Sequence, residues 1–236
     1  MFDSPTGAAL VAEDRGHSGP TAASVRSHRP WPDDFVVQAT RFLQRIDLDQ
    51  ALAMAGAVKG YWHPTGFMAF HTRWSFEGMP VRVHCWPRGA RPVEDRHPPL
   101  HNHMWPLASK VLTGTYSETV YALDDVPDGE YAHYSVEYHT RDDATVFDDG
   151  RRCQALPVVT SVCVPGEVHH LEAGVFHETT IPESQRVVTV MVTGQREIDS
   201  CSLVGLPGFP TRRRVRRSVT PAELARAIDG LAASSR

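Results

Sequence analysis

No apolar run in the sequence approaches the length of a membrane span, basic residues are not in excess, and cysteine is scarce. Each shortage removes a class of protein. A spanning helix needs about 20 consecutive apolar residues, and the longest runs here are far shorter, so no membrane role is expected. The formal net charge of -4 argues against a chain whose main partner is nucleic acid. The four cysteines, Cys85, Cys153, Cys163 and Cys201, are widely spaced with no CxxC pair, so neither a disulfide framework nor a cysteine zinc site is expected. The opening MFDSPTGAALVAEDRGHSGP has no basic start followed by a sustained apolar region; it does not read as a secretory signal, and a cytoplasmic location is the default expectation. What stands in surplus is histidine, with 13 in the chain and several in two tight groups.

The chain divides by composition. Residues 1–30 are rich in Gly, Ser, Ala and Pro without an apolar period, as in a flexible tail. From 31 to 60 the spacing of Phe35, Val36, Ala39, Phe42, Leu43 and Ile46 predicts a helix, and a second short one is expected over Leu48 to Val58; each offers one apolar face to pack on a sheet. Residues 61–210 shift towards a period of two. Strands are expected over Phe67–Trp74, Val81–Trp86, Lys110–Val120, Ala132–Tyr138, Val158–Val164, Val168–Leu171 and Val187–Thr193, with the polar span from Asp124 to Leu156 elaborating a rim. The last part, 211–236, holds a basic run, RRRVRR at 212–217, and a helix signalled by Thr220, Pro221 and Glu223 as N-cap, first-turn proline and capping-box partner. The basic run is open to two readings: a solvated segment paired with the protein's own acids, or a contact with an anionic partner. Many short strands after a helical opening predict a mostly β domain, a barrel or sandwich with helices to one side.

The strongest local signal is HPPLHNHMWPLASKVLTGTY at 97–116. His101 and His103 are two apart, so on an extended segment both imidazoles reach the same face and can grip one ion. A third ligand has to come from an adjacent strand, and VPGEVHHLEAGVFHE at 164–178 offers His177, with Gly174 in a turn ahead of it. An HxH pair alone is weak evidence for metal, because it also occurs on exposed strands. Its surroundings add weight, since Val111, Leu112 and Gly114 follow at fixed offsets and a Pro165-Gly166 turn precedes the second group.

These two segments resemble the paired motifs of the cupin superfamily, in which HxH and a later histidine on a neighbouring strand bind a metal inside a small jelly-roll-like β-barrel. The resemblance implies a cupin barrel with N-terminal helices and a C-terminal helix, and a metal held by His101, His103 and His177. The family's usual glutamate ligand, seven residues before the motif glycine, is Leu107 here. Three neutral imidazoles leave a divalent ion its full charge, so an anionic substrate is expected on the metal; a bound thiol would be deprotonated.

The three-histidine variant and the strands ahead of it, Phe70-His71-Thr72-Arg73-Trp74 and Val81-Arg82-Val83-His84-Cys85-Trp86, are similar to the thiol dioxygenases, the cysteine dioxygenase group, over roughly residues 60–195. That resemblance implies iron(II) and O2, with Arg73 near the arginine that receives a substrate carboxylate. In that group the Leu107 position can hold a cysteine crosslinked to a tyrosine on a late strand; here that strand reads VVTVMVTG, so a different small substrate is implied. Arg73 and Arg82 are open between carboxylate binding and surface ion pairs, His84 between cavity lining and packing, and Trp105 and Tyr116 between packing and the cavity wall. His169 and His170 point opposite ways, so at most one can face a pocket. Arg73 and Tyr116 are the candidate catalytic residues; Arg73, Arg82, His84 and Trp105 are the candidates for substrate contact. The expected function is an iron(II), O2-dependent oxygenase on a small anionic molecule. The alternatives are a Lewis-acid isomerase or hydrolase using Zn, Ni or Mn, or a non-catalytic small-ligand-binding cupin. No nucleic-acid partner is expected, and oligomeric state is not legible.

Overall fold

The structure, a computed structural model, describes residues 33–140, 142–229 and 231; the tail expected over 1–30 lies outside them. Two helices open it, α1 (Asp33–Gln44) and α2 (Leu48–Gly56). Asp47 caps α2 by accepting from Gln50 N at 2.8 Å while Gln50 Oε1 returns a bond to Asp47 N at 3.0 Å, satisfying two orphan donors.

Thirteen strands follow: β1 (Gly60–Trp62), β2 (Met68–Phe76), β3 (Met79–Trp86), β4 (Leu100–His101), β5 (Leu107–Thr113), β6 (Tyr116–Asp125), β7 (Tyr131–Tyr138), β8 (Asp143–Cys163), β9 (Val168–Leu171), β10 (Phe176–Thr180), β11 (Val187–Thr193), β12 (Cys201–Gly205) and β13 (Arg212–Val215). The helix α3 (Pro221–Ile228) closes the described part. The strands form two sheets, one in the order β1-β2-β3-β11-β5-β9 and the other β13-β8-β6-β10-β4-β12-β7, the second curling so that β7 also pairs with β8. Every strand pairing within the sheets is antiparallel. This is the mostly β arrangement expected, two antiparallel sheets with helices on one side.

Period-two alternation sorts the six-stranded sheet into two faces. Val81, Val83 and Cys85 of β3 and Val188, Val190 and Val192 of β11 join Ala39, Leu43, Met54 and Ala227 in one buried cluster, so all three helices cover that face. The intervening Arg82, His84 and Trp86, with Thr189 and Met191, line a cavity on the other face. β11 is buried along its whole length, as a strand covered on both faces must be.

The stretch expected as one strand over Lys110–Val120 is two, β5 and β6. The break falls at Gly114, whose φ of +76° disfavours a side chain and whose position would drive a Cβ into the Arg186 carbonyl. The polar span 124–156 takes in the end of β6, all of β7 and about the first two-thirds of β8, a hairpin extension of the curled sheet. The basic run is partly a strand: Arg212–Val215 pair with Val146–Asp143 of β8. Thr220 and Glu223 form the predicted capping box, and Val219 and Leu224 both pack on the helix-side core. Among the described residues no helix is long and apolar enough to cross a membrane.

Candidate metal centre

His101 ends β4 and His177 lies on β10, and the two are directly opposed across the β4–β10 pairing. Asn102 turns the other way: its backbone N–H and side-chain Oδ1 both bond Ser202 of β12, at 3.2 and 2.8 Å. That anchor leaves His103 on the same side as His101. Gly174, at φ +82°, donates its N–H to the His103 carbonyl at 2.9 Å, tying the turn ahead of His177 to the HxH segment.

One nitrogen from each of His101, His103 and His177 lies within 4.8 Å of the other two, and His177 Nε2 is 3.1 Å from His103 Nε2. Ligands at a metal–nitrogen distance of about 2.1 Å sit about 3.0–3.4 Å apart for bond angles between square and tetrahedral, so this separation fits two imidazoles on one ion. The ring contacts fix the tautomers. His101 Nδ1 is 3.3 Å from the Pro99 carbonyl, an acceptor, so this nitrogen is the donor and Nε2 keeps its lone pair. Burial, then the neighbouring His177, pushes His101 down to about 3, and burial followed by His101 holds His103 well below the usual imidazole range. Neutral imidazoles are what a metal requires.

Behind His177 stands Glu118 of β6, whose Oε1 accepts from His177 Nδ1 at 2.5 Å and whose Oε2 accepts from Thr179 Oγ1 at 2.8 Å. Burial works against an ionised Glu118, but the adjacent His177 and these hydrogen bonds hold its carboxyl below the ordinary range. Such a carboxylate orients the ring and raises its basicity as a ligand. Sequence reasoning missed Glu118. The available signal was alternation from Tyr116, which places a carboxylate on an inward face. Leu107 is buried in the cavity wall, so the usual glutamate position supplies no ligand and the negative charge arrives one bond further out.

The cluster opens on a cavity of about 260 Å³, walled by Phe67, Arg82, His84, Trp86, Tyr116 and His169 among others. Arg82 lies over Trp105, guanidinium carbon 4.7 Å from the ring centroid, and Trp105 stacks beside His103 with centroids 6.2 Å apart. Burial, then the Arg82 charge, holds His84 well below the imidazole range. Tyr116 Oη is 3.0 Å from His169 Nε2, and burial, then Glu118, raises its phenol. His170 faces away to Thr40 Oγ1 at 3.1 Å, so the HH pair splits between cavity and helix layer. Arg73 is not brought to the cavity: it is exposed on β2. Between His71 and Ser75 the β2–β3 register shifts, and Thr72 Oγ1 bonds the Val81 carbonyl at 2.7 Å, so the strand bulges before Arg73 and alternation no longer predicts its direction.

Fold and cluster together define a mostly β protein of two antiparallel sheets with three histidines grouped closely enough to hold one metal ion. Neither a family model nor a curated protein matches the chain. Solved structures do match; one is a chain from the crystal structures of DMSP lyases RdDddP and RnDddQII, at 15% identity and a TM-score of 0.32, over 57% of this chain and 51% of that one. The match spans about half the length of that neighbour.

Proposed function

We propose that the protein is a mononuclear non-haem iron(II), O2-dependent oxygenase, similar in type to the thiol dioxygenases, acting on a small anionic molecule. The observation that carries this reading is the donor set: three imidazoles with no carboxylate among them, facing a cavity that also holds a guanidinium. When bound, iron(II) supplies the electron transfer to O2 that side chains lack. The rest falls to this chain. Imidazole ligands leave the ion's charge to be met by substrate, which selects an anion such as a thiolate. Glu118 offsets part of that charge through His177 without occupying a ligand position.

Arg82, in the cavity wall and stacked on Trp105, would receive a carboxylate, a role that exposed Arg73, outside the cavity lining, would not fill. The volume of about 260 Å³ falls just below the range of about 300–1,000 Å³ usual for drug-sized ligands, which favours a small molecule. Phe67 and Trp86, with ring centroids 4.7 Å apart, exclude water beside it. Tyr116, with its phenol held protonated beside His169 at 3.0 Å, is a hydrogen-bond donor at the wall.

The Tyr116–His169 pair also supports a second reading, in which zinc, nickel or manganese acts as a Lewis acid, His169 handles the proton of an isomerase or hydrolytic step and Tyr116 orients that ring. The test is O2 uptake by protein loaded anaerobically with iron(II) and then aerated with small thiol acids. Thiol-dependent uptake that is abolished in His177→Ala with the fold intact is expected; tightly held zinc and no uptake after iron loading would replace the oxygenase reading with the Lewis-acid one.

A further inference from the structure

The basic run RRRVRR does not simply neutralise the protein's own acids. Arg212 and Arg214 share Glu94, at 2.7 and 3.0 Å; Arg213 pairs with Asp143 at 2.5 Å; Arg217 pairs with Glu223 at 2.8 Å. Arg216 makes no ion pair among the described residues. Its backbone N–H bonds the Asp142 carbonyl at 2.8 Å, while its side chain is half-buried.

The topology explains its position. Residues 212–215 pair with β8 in the curled sheet, whereas the bonds Trp62 N to Arg217 O and Val219 N to Gly60 O, both 2.8 Å, tie the next residues to β1 in the other sheet. Arg216 sits where the chain crosses between sheets. A cleft of about 310 Å³ opens there, lined by Trp62, His63, Glu94 and all five arginines of the run. Five guanidiniums line it against three carboxylates, Glu94 in the wall and Asp143 and Glu223 holding Arg213 and Arg217, so the cleft keeps a net positive charge centred on Arg216. Trp62 contributes a flat apolar wall, with Arg217 stacked over its ring at 5.2 Å.

This cleft adjoins the metal cavity. His63 lines both, and its ring centroid is 6.4 Å from that of His101.

We infer that the Arg216 cleft binds a second anionic group, carboxylate, sulfonate or phosphate, at the far end of the molecule whose reacting end occupies the metal cavity. The substrate class is thereby narrowed to elongated molecules with anionic groups at both ends. The inference rests on the proposed function for the occupancy of the cavity, but the anion site itself does not. An arginine without a carboxylate partner among the described residues, in a cleft whose guanidiniums outnumber its carboxylates, is a site for an exogenous anion.

The test uses the full chain and calorimetric binding without turnover, with inorganic phosphate and a series of straight-chain dicarboxylates as probes, on wild type, Arg216→Gln, Arg216→Lys and His177→Ala. Thermal unfolding of each variant checks the fold. Phosphate is expected to bind wild type and His177→Ala alike, to weaken tenfold or more in Arg216→Gln, and to stay within a few-fold in Arg216→Lys. Dicarboxylate affinity is expected to peak at one chain length, and the peak to vanish in Arg216→Gln. Equal phosphate binding by Arg216→Gln and wild type would overturn the inference. Phosphate binding lost in His177→Ala but kept in Arg216→Gln would place the anion at the metal centre, overturning the inference while leaving the proposed function standing. Phosphate binding without any length optimum would make the cleft a separate anion site and overturn its link to the substrate. Absence of O2 chemistry would instead defeat the proposed function and leave the phosphate results unchanged.

Discussion

At the residue scale, the chemistry rests on which groups stand behind the ligands as much as on the ligands. His177 is held from behind by Glu118, and that carboxylate is itself held by Thr179. Replacing Glu118 by Gln keeps the shape but removes the charge that stiffens the ring and strengthens its lone pair; metal affinity should fall about 10- to 100-fold, read by chelator competition, with little change in far-UV circular dichroism. Unchanged affinity would reduce Glu118 to a packing role. Arg82→Gln should raise KM for carboxylate substrates about tenfold or more, the order expected for a lost charge-assisted bond, and Arg73→Gln should leave it unchanged; steady-state kinetics separates the two. The HxH pair was legible because two residues on an extended segment share a face whatever the rest of the fold does. Glu118 was not, since its role depends on β6 pairing with β10, some sixty residues away along the chain. Arg73 misled because a bulge interrupts the alternation that would have aimed it inward.

At the scale of elements, turns and caps decide where strands and helices begin. Gly114 separates β5 from β6 and sets the register that brings Glu118 to the site. Gly114→Ala forces a side chain into left-handed backbone and against the Arg186 carbonyl, and should cost more than about 1 kcal/mol in urea unfolding, with weaker metal binding alongside. A glycine in the sequence marks such a break only when its φ is known, which is why the two strands read as one.

The cap of α3 gives a pH-dependent prediction. The Thr220 backbone N–H, with Arg217 and the Thr220 hydroxyl, draws the Glu223 carboxyl down to about 2 from 4.5. A carboxylate depressed in the folded state stabilises above its unfolded pKa and loses that contribution as pH falls towards the folded one. Glu223→Gln should therefore be less stable than wild type by about 1 kcal/mol or less near neutrality, with the gap closing between about pH 5 and pH 2. Thermal unfolding across that range checks it; a gap independent of pH would show that the charge is not what caps the helix. The capping box itself was readable in the sequence because every part of it lies within four residues.

At the scale of the whole molecule, one sheet serves two purposes. Its valine-rich face takes the helices and its intervening residues wall the cavity, so the stability of the scaffold and the placement of the site come from the same strands. The alternation was visible in β3 and β9. In β11, where both faces are buried, hydrophobicity alone could not show that Thr189 and Met191 face a cavity. The basic run read as either self-neutralised or partner-facing because composition does not reveal which acids lie opposite. The structure divides it, four arginines to the protein's own carboxylates and Arg216 to the cleft.

The central claim is that His101, His103 and His177 hold one divalent ion. Elemental analysis of wild type and of the three single alanine variants, each reconstituted anaerobically with iron(II) and desalted, tests it most directly. About one ion per chain in wild type and its loss in every variant, with cooperative unfolding retained, is the predicted result; a wild type that retains no metal, or a His177→Ala variant that retains a full equivalent, would contradict the account.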